Sequence, residues 1–292
     1  MKKILVVGSL NMDYTIYCEE FPKDGETIYG IKRIVQPGGK GANQAAAAVK
    51  SHLVPVSFIS SRGEDNDGRT IETILKDLGL KTHFKVCDGV ETGNATIDVN
   101  GHGENKIIII AGANAELNLS DIDVELIKDN DFVILQNEIS YETNEHVMRL
   151  AKECNKTLVY NPAPYRPIKD ELFSLVDFFV VNEVELMRYS GTEDIEEGIK
   201  VLLSKGVKNL IVTLGSDGSM FINNETRFNV NSYKVHAVDT VAAGDTYIGY
   251  FTSSLASGKS IEESMNIASK ASALTCTKQG SIISIPFGEE VF

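Results

Sequence analysis

The stretch DTVAAGDTYIG, Asp239 to Gly249, sets small residues and a glycine directly before an aspartate, between a strand-like approach and a helix-like departure. If Ala242 or Ala243 opens the helix, the amides of Ala243, Gly244 and Asp245 have no intrahelical acceptors. They then face the space in front of the helix, where its dipole favours an anion. Small side chains let a phosphate approach that backbone. Asp245 could then take a proton from a substrate hydroxyl while the amides stabilise charge growing on a transferred phosphoryl group. The plainer alternative is that Asp245 is only a favourable acid in a first helical turn.

The surrounding pattern decides where such a turn would lie. Short apolar runs alternate with amphipathic segments along the chain, as in consecutive βαβ units. KILVVGS, PVSFISSRG, DFVILQNE, TLVYNPAP, VDFFVVN and NLIVTLGSDG read as strands. GKGANQAAAAVKSH offers a small-residue helix, and DGRTIETILKDLGL carries Ile71, Ile74, Leu75 and Leu78 at helical spacing. TNEHVMRLAKECN and DIEEGIKVLLSKGV complete the helices between them. The pattern predicts a doubly wound, mainly parallel α/β sheet with helices on both faces, assigned to a single domain over residues 1–292. Residues from about 14 to 34 and 92 to 111 break the rhythm with strand patterns and the turns Asp24-Gly25 and Asn100-Gly101. They are expected to form an antiparallel β lid, or alternatively an edge hairpin with no gating role.

Composition narrows the partners. A net charge of −13 argues against a nucleic acid, whose binding needs basic stripes that neutralise phosphates. No apolar run approaches the ~20 residues of a membrane-spanning helix, and MKKILVVGS runs straight into a strand pattern, so a cytoplasmic protein is expected. Cys18, Cys87, Cys154 and Cys276 show no metal-ligand spacing and are expected to be reduced, buried thiols.

In open parallel sheets, ligands bind beyond the carboxyl ends of the strands. GSLNMD, GGKGANQA, LQNE, NPAP, VVNEVE, TLGSDG and DTVAAGD all sit at such edges and together suggest a polar rim. GGKGANQA lacks the GxxxxGK[ST] spacing of a P-loop, and no GxGxxG follows the first strand. Its Gly38, Gly39 and Gly41 allow tight backbone near a small polyol, with Lys40 and Asn43 as hydrogen-bond donors; a simple glycine-rich helix cap is the other reading. Asn11 and Asp13 flank Met12, which puts them on one face of a strand, as vicinal hydroxyls would require. Asn182 and Glu185 share a helix face and could hold magnesium through water, although an N-cap with its Glu partner explains the same spacing.

In this order, GSLNMD, GGKGANQA, GEN…AGAN, NPAP, TLGSDG and DTVAAGD resemble the ribokinases of the PfkB group of carbohydrate kinases over essentially the whole chain. The resemblance implies that Asp245 is the catalytic base, acting on a sugar's terminal hydroxyl, with the Ala243, Gly244 and Asp245 amides as anion hole. It implies sugar contacts at Asn11, Asp13, Gly39, Lys40, Asn43 and Glu138. It places ATP at Asn182, Thr213, Gly215, Ser216, Gly218, Gly244 and Ser269, and magnesium at Glu185 through water. An activating potassium ion would match Asp239, Val241, Thr275, Lys278, Gly280 and Ser284, several through backbone carbonyls. Oxygen ligands of that kind suit a hard cation.

Two departures bear on nucleotide and sugar fit. Where the family usually continues Thr-Phe, often with Asn and then Gly, this chain has Tyr247 and Ile248, and Ser269 replaces a larger polar residue near the adenine. The implied activity is ATP-dependent phosphorylation of D-ribose at its terminal hydroxyl. The alternatives are another pentose, fructose, a ketodeoxy sugar or a nucleoside as acceptor, or a catalytically silent sugar-binding protein. The lid, through Ile97, Val99 and the alternating residues of KIIIIAG, is expected to pair with a second copy as an isologous homodimer.

Overall fold

The structure, a computed structural model, describes residues 1–292. In chain order the strands are β1 (Ile4–Val7), β2 (Asn11–Tyr17), β3 (Lys32–Gly38), β4 (Val56–Gly63), β5 (Lys81–Cys87), β6 (Asn94–Val99) and β7 (Asn105–Ile110). They continue with β8 (Phe132–Leu135), β9 (Thr157–Tyr160), β10 (Phe178–Asn182), β11 (Asn209–Thr213), β12 (Ser219–Ile222) and β13 (Arg227–Val230). The first five helices are α1 (Lys40–Lys50), α2 (Asn66–Asp77), α3 (Val124–Asp129), α4 (Tyr141–Glu153) and α5 (Asp170–Phe173). The remainder are α6 (Glu183–Ser190), α7 (Ile195–Ser204), α8 (Ala243–Ala256), α9 (Ile261–Thr275) and α10 (Gly288–Val291).

Nine strands form one sheet in the order β13-β12-β11-β10-β9-β8-β1-β4-β5. It is parallel except for β12 and β13, which turn back as an antiparallel edge. The central strands are covered on both faces, so their sequences are unbroken apolar runs. Alternation divides each run between two cores. Ile4 and Val6 pack with α1, α2, α8 and α9, while Leu5 and Val7 pack with α3, α4, α6 and α7. No helix is long and apolar enough to cross a membrane. All four cysteines are free; Cys18 and Cys87 are buried as expected, whereas Cys154 and Cys276 are only partly buried.

Register brings the strand ends level. Val7 pairs with Ile59 and Leu135, Leu135 with Tyr160, and Asn182 with Thr213. The residues that follow, including Gly8, Gln136 and Asn161, therefore emerge along one rim.

A second sheet, in the order β3-β2-β6-β7, rises from that rim. Each of its two excursions is an antiparallel pair, rooted at the rim by Asn11 and Gly38 in the first and by Asn94 and Ile110 in the second, with the Tyr17 and Lys32 pair and the Val99 and Asn105 pair at the outer ends. The inner strands β2 and β6 both leave the main sheet in the same direction, so the excursions join through parallel pairing.

Candidate active site

Helix α8 enters through Ala242, whose φ of 60° lies in the left-handed region, and its first turn has no side-chain cap. For a non-glycine residue this conformation costs about 1–2 kcal/mol, so the surrounding structure holds it in place. The Ala243 amide, expected as one of three free donors, instead donates to the Thr240 carbonyl at 3.3 Å. The Gly244 and Asp245 amides find no acceptor in the protein. A Cβ built on Gly244 would meet nothing within 4 Å, and its φ lies outside the left-handed region. The fold itself therefore does not require glycine there; the free space lies in front of the two amides.

Behind the turn, Asp245 is buried, and both of its oxygens accept amide hydrogens. Asn43 Nδ2 donates to Oδ2 at 3.0 Å and Gln44 Nε2 to Oδ1 at 2.9 Å. Two neighbouring residues of α1 reach one carboxylate because α1 and α8 approach closely. A Cβ on Gly249 would stand 2.5 Å from Ala47 Cβ and 2.7 Å from the Gln44 carbonyl oxygen. The all-buried run Ala45–Ala48 is the matching half of this contact. From α9, Ser272 Oγ donates to the Ala243 carbonyl at 2.8 Å and Thr275 Oγ1 to Thr246 Oγ1 at 3.0 Å, bracing the same turn.

The expected sugar contacts converge beside Asp245. Asn11 and Asp13 lie on β2, opposite Gly38 and Gln36 of β3. Gly39 caps α1 at φ 87° without a side-chain acceptor. Glu138, beyond β8, supplies that acceptor: its Oε2 takes the Lys40 amide at 2.9 Å and the Ser9 hydroxyl at 2.6 Å. A carboxylate there also complements the positive end of α1. Burial raises Asp13 to about 7, reinforced by the charges of Glu138 and Asp245. Burial disfavours the charge on Lys40, but Asp245, Glu138 and Glu185 outweigh it and the ammonium titrates above its ordinary value. Asn114, buried just after the lid, accepts from the Leu10 amide at 2.9 Å and donates to the Leu10 carbonyl at 3.0 Å and Asn11 Oδ1 at 2.7 Å. It fixes the orientation of Asn11.

Two cavities meet at this point. One of about 250 Å³ holds Lys40, Asn182, Glu185, Thr213, Gly244 and Asp245; the other, about 460 Å³, lies under the lid and holds Asp13, Gln36, Ile97, Asp239 and Val241. Thr240 lines both. Lys40, expected on the sugar side, thus reaches into the first cavity, because it begins α1 directly opposite α8.

Of the expected nucleotide residues, Asn182, Thr213 and Gly244 line the first cavity. Gly215, Ser216 and Gly218 form a 3-10 turn after β11, and Ser269 on α9 donates to the Asn231 carbonyl at 3.0 Å; none of these four lines it. Asn182 and Glu185 form a reciprocal helix cap, with bonds of 2.8 and 3.0 Å, and face the cavity as well. Burial raises Glu185 above the usual carboxylate range, opposed by the Asn182 amide and Lys40 and reinforced by Asp245. No group of three or more His, Cys, Asp or Glu side chains could hold a metal by itself. Glu185 beside an open anion-facing turn still fits magnesium, which keeps most of its waters and binds through one carboxylate plus phosphates. At the first of the two departures, Tyr247 is buried against Ser219 Oγ at 2.8 Å and Ile248 lines the first cavity.

The expected potassium residues also gather. Asp239 accepts the Val241 and Gly280 amides, each at 3.0 Å, and so ties two loops together. Ser284 Oγ donates to the Gly280 carbonyl at 2.7 Å, and the Lys278 amide to the Thr275 carbonyl at 3.2 Å. Lys278 Nζ turns away to Glu290 at 2.8 Å. The remaining donors are one carboxylate and neutral oxygens, a set that fits a monovalent hard cation.

Sequence reasoning did not single out Gln44, Asn114, Gln136 or Asn161. Each acts through a partner at least 92 positions away in the chain.

The model of the pfkB family carbohydrate kinases matches residues 1–287. A ribokinase of Lactococcus lactis is 37% identical over 294 residues, covering 100% of this chain and 96% of its own. The crystal structure of a ribokinase from Thermotoga maritima superposes with a TM-score of 0.93 at 37% identity, covering 100% of this chain and 98% of that one. The Arabidopsis thaliana ribokinase, solved with ribose and ATP, superposes equally well, with a TM-score of 0.93 at 33% identity and 99% and 97% coverage. The mainly parallel sheet flanked by helices and the small second sheet accord with that likeness, and the chain belongs to the pfkB family of carbohydrate kinases.

Proposed function

We propose that the protein transfers the γ-phosphoryl group of ATP to the terminal 5-hydroxyl of D-ribose, giving ribose 5-phosphate. The observation that carries this reading is Asp245, gripped by two amides directly behind the unpartnered Gly244 and Asp245 N–H groups. Asp245 accepts the hydroxyl proton as the oxygen attacks in line, and the two amides neutralise charge on the transferred group. Asn11, Asp13, Asn43 and Glu138 bind and orient the sugar on the lid side, and Lys40 reaches between acceptor and phosphate. Asn182 and Thr213 border the nucleotide side. Magnesium held through water at Glu185 would offset phosphate charge. Potassium at Asp239, Val241, Thr275, Lys278, Gly280 and Ser284 would stiffen the loop entering α8.

Asp245→Asn tests the reading. Turnover should fall by about three or more orders of magnitude while ribose affinity changes little; near-parental turnover would remove Asp245 from its role. A panel of pentoses, hexoses and nucleosides, assayed with and without potassium, tests the acceptor. A nucleoside preferred by kcat/KM would replace ribose.

The lid supports a homodimer. β7 is its edge strand, and Ile107, Ile108, Ile109 and Ile110 are all exposed. An apolar edge of this kind aggregates unless something covers it, and a second copy is the economical cover. Ile97 and Val99, assigned above to the pairing face, instead line the cavity under the lid, because they share a face with Thr15 and Tyr17.

A further inference from the structure

We infer that Gln44 is a positioning residue for the base, an inference that rests on the reading of Asp245 above. Gln44 is fully buried and makes no contact that a sugar or nucleotide would replace. Its orientation follows from a chain of bonds that starts at an atom with only one role. The Val180 carbonyl can only accept, so Asn161, 3.0 Å away, must turn its NH2 toward it. Asn161 Oδ1 then faces Gln44 and accepts from Nε2 at 3.3 Å, which fixes the Gln44 NH2 on the side of Asp245. From the other end, Gln136 Nε2 donates to Gln44 Oε1 at 2.8 Å and holds the same orientation. A side-chain amide carries no charge to titrate, so Oδ1 of Asp245 keeps its donor across the working pH range. With Oδ1 fixed, the carboxylate plane is set, and Oδ2 is the oxygen that Asn43 shares with the acceptor.

Other charged groups also lie around Asp245: Lys40 from α1, Asp13 from β2 and Glu185 from α6 act on it directly, and Glu138 from the end of β8 sits beside Asp13 and Lys40. All four are unchanged in a Gln44 variant, so a difference between parent and variant isolates Gln44.

The test compares pH profiles of kcat for the parent, Gln44→Glu and Gln44→Met, with ribose and ATP saturating, alongside thermal midpoints. Gln44→Glu keeps the shape and replaces a permanent donor with an acid in contact with Oδ1. The acid limb of its profile should move up by roughly one pH unit or more, as for two carboxyls sharing one proton. Gln44→Met removes the donor without adding charge. It should lower kcat roughly tenfold and leave the KM for ribose nearly unchanged. If Gln44→Glu does not fold, the kcat-against-KM split of Gln44→Met decides. An unmoved acid limb in folded Gln44→Glu, or a parental kcat in Gln44→Met, overturns the inference. Asp245→Asn is assayed in parallel: if it stays active, the kinase reading itself fails, and if it is dead while the Gln44 variants match the parent, only the role of Gln44 fails.

Discussion

Asn43 and Asp245 lie 202 positions apart in the chain and meet through a 3.0 Å amide-to-carboxylate bond between the first turns of two helices. The contact exists because Gly249 and the alanines of α1 let the helices close on each other.

Gly244→Ala separates folding from function. The position is helical and open, so alanine should hold or raise stability by up to about 1 kcal/mol. The added methyl occupies the space before the free amides, and kcat/KM for ATP should fall by about tenfold or more. Thermal melting and steady-state kinetics on one preparation check both halves. Parental kinetics would show that no phosphate approaches this backbone.

Asp13→Asn should show a trade between stability and binding. The folded protein holds Asp13 near 7, above its ordinary 3.8, so the native state binds the proton more tightly than the unfolded chain. The cost of ionising it therefore grows as pH rises from about 4 to 7 and is complete above 7. The variant should be more stable than the parent at pH 8, by up to about 4 kcal/mol, with the gap closing below pH 5. Its KM for ribose should rise. Urea midpoints at pH 5 and 8 measure the difference; equal gaps at both would contradict the shift.

If potassium binds as proposed, Asp239→Ala abolishes the activation it gives. It removes the carboxylate that accepts the Val241 and Gly280 amides and so loosens both loops. Activity in saturating potassium should drop to the level of the parent without it, with about 1–3 kcal/mol lost from stability. Titration with potassium chloride against a sodium control reads the effect. A parental potassium response would move the cation elsewhere.

Ile108→Lys tests the lid as an interface. A charge on the exposed edge should leave the monomer folded and shift the mass in solution from dimer to monomer at micromolar concentration. A parent that is itself monomeric would end the proposal.

Much of the architecture could be seen in the residues, and the exceptions follow a rule. β1, β8 and β10 are buried on both faces and appear as unbroken apolar runs, while α2, α4 and α7 show their inner faces at helical spacing. β5 and β13 are the edge strands of the sheet, where solvent tolerates polar residues and the pattern fades, while β12 is buried but only four residues long. α9 is built from serine and alanine because it packs closely on α8, and small residues carry little periodic signal. At the site, Asp245, Gly244 and Asn43 were marked by their motifs. Gln44 and Asn161 stand in quoted motifs too, GGKGANQA and NPAP, but without an assigned role, since nothing in a small-residue helix or a strand end announces a partner that only folding supplies. Ala242 hid its left-handed backbone for the same reason: alanine gives no sign of a conformation that glycine or asparagine would have signalled.

The order of synthesis gains meaning from the meeting of α1 and α8. A ribosome makes β1, α1 and the lid strands first, and Asp245 follows the last of those strands, which ends at Ile110, by 135 positions. On the proposed role of Asp245, a nascent fragment that stops before α8 turns over no ATP, and the onset of catalysis in a synthesis reaction would report the docking of α8 on α1.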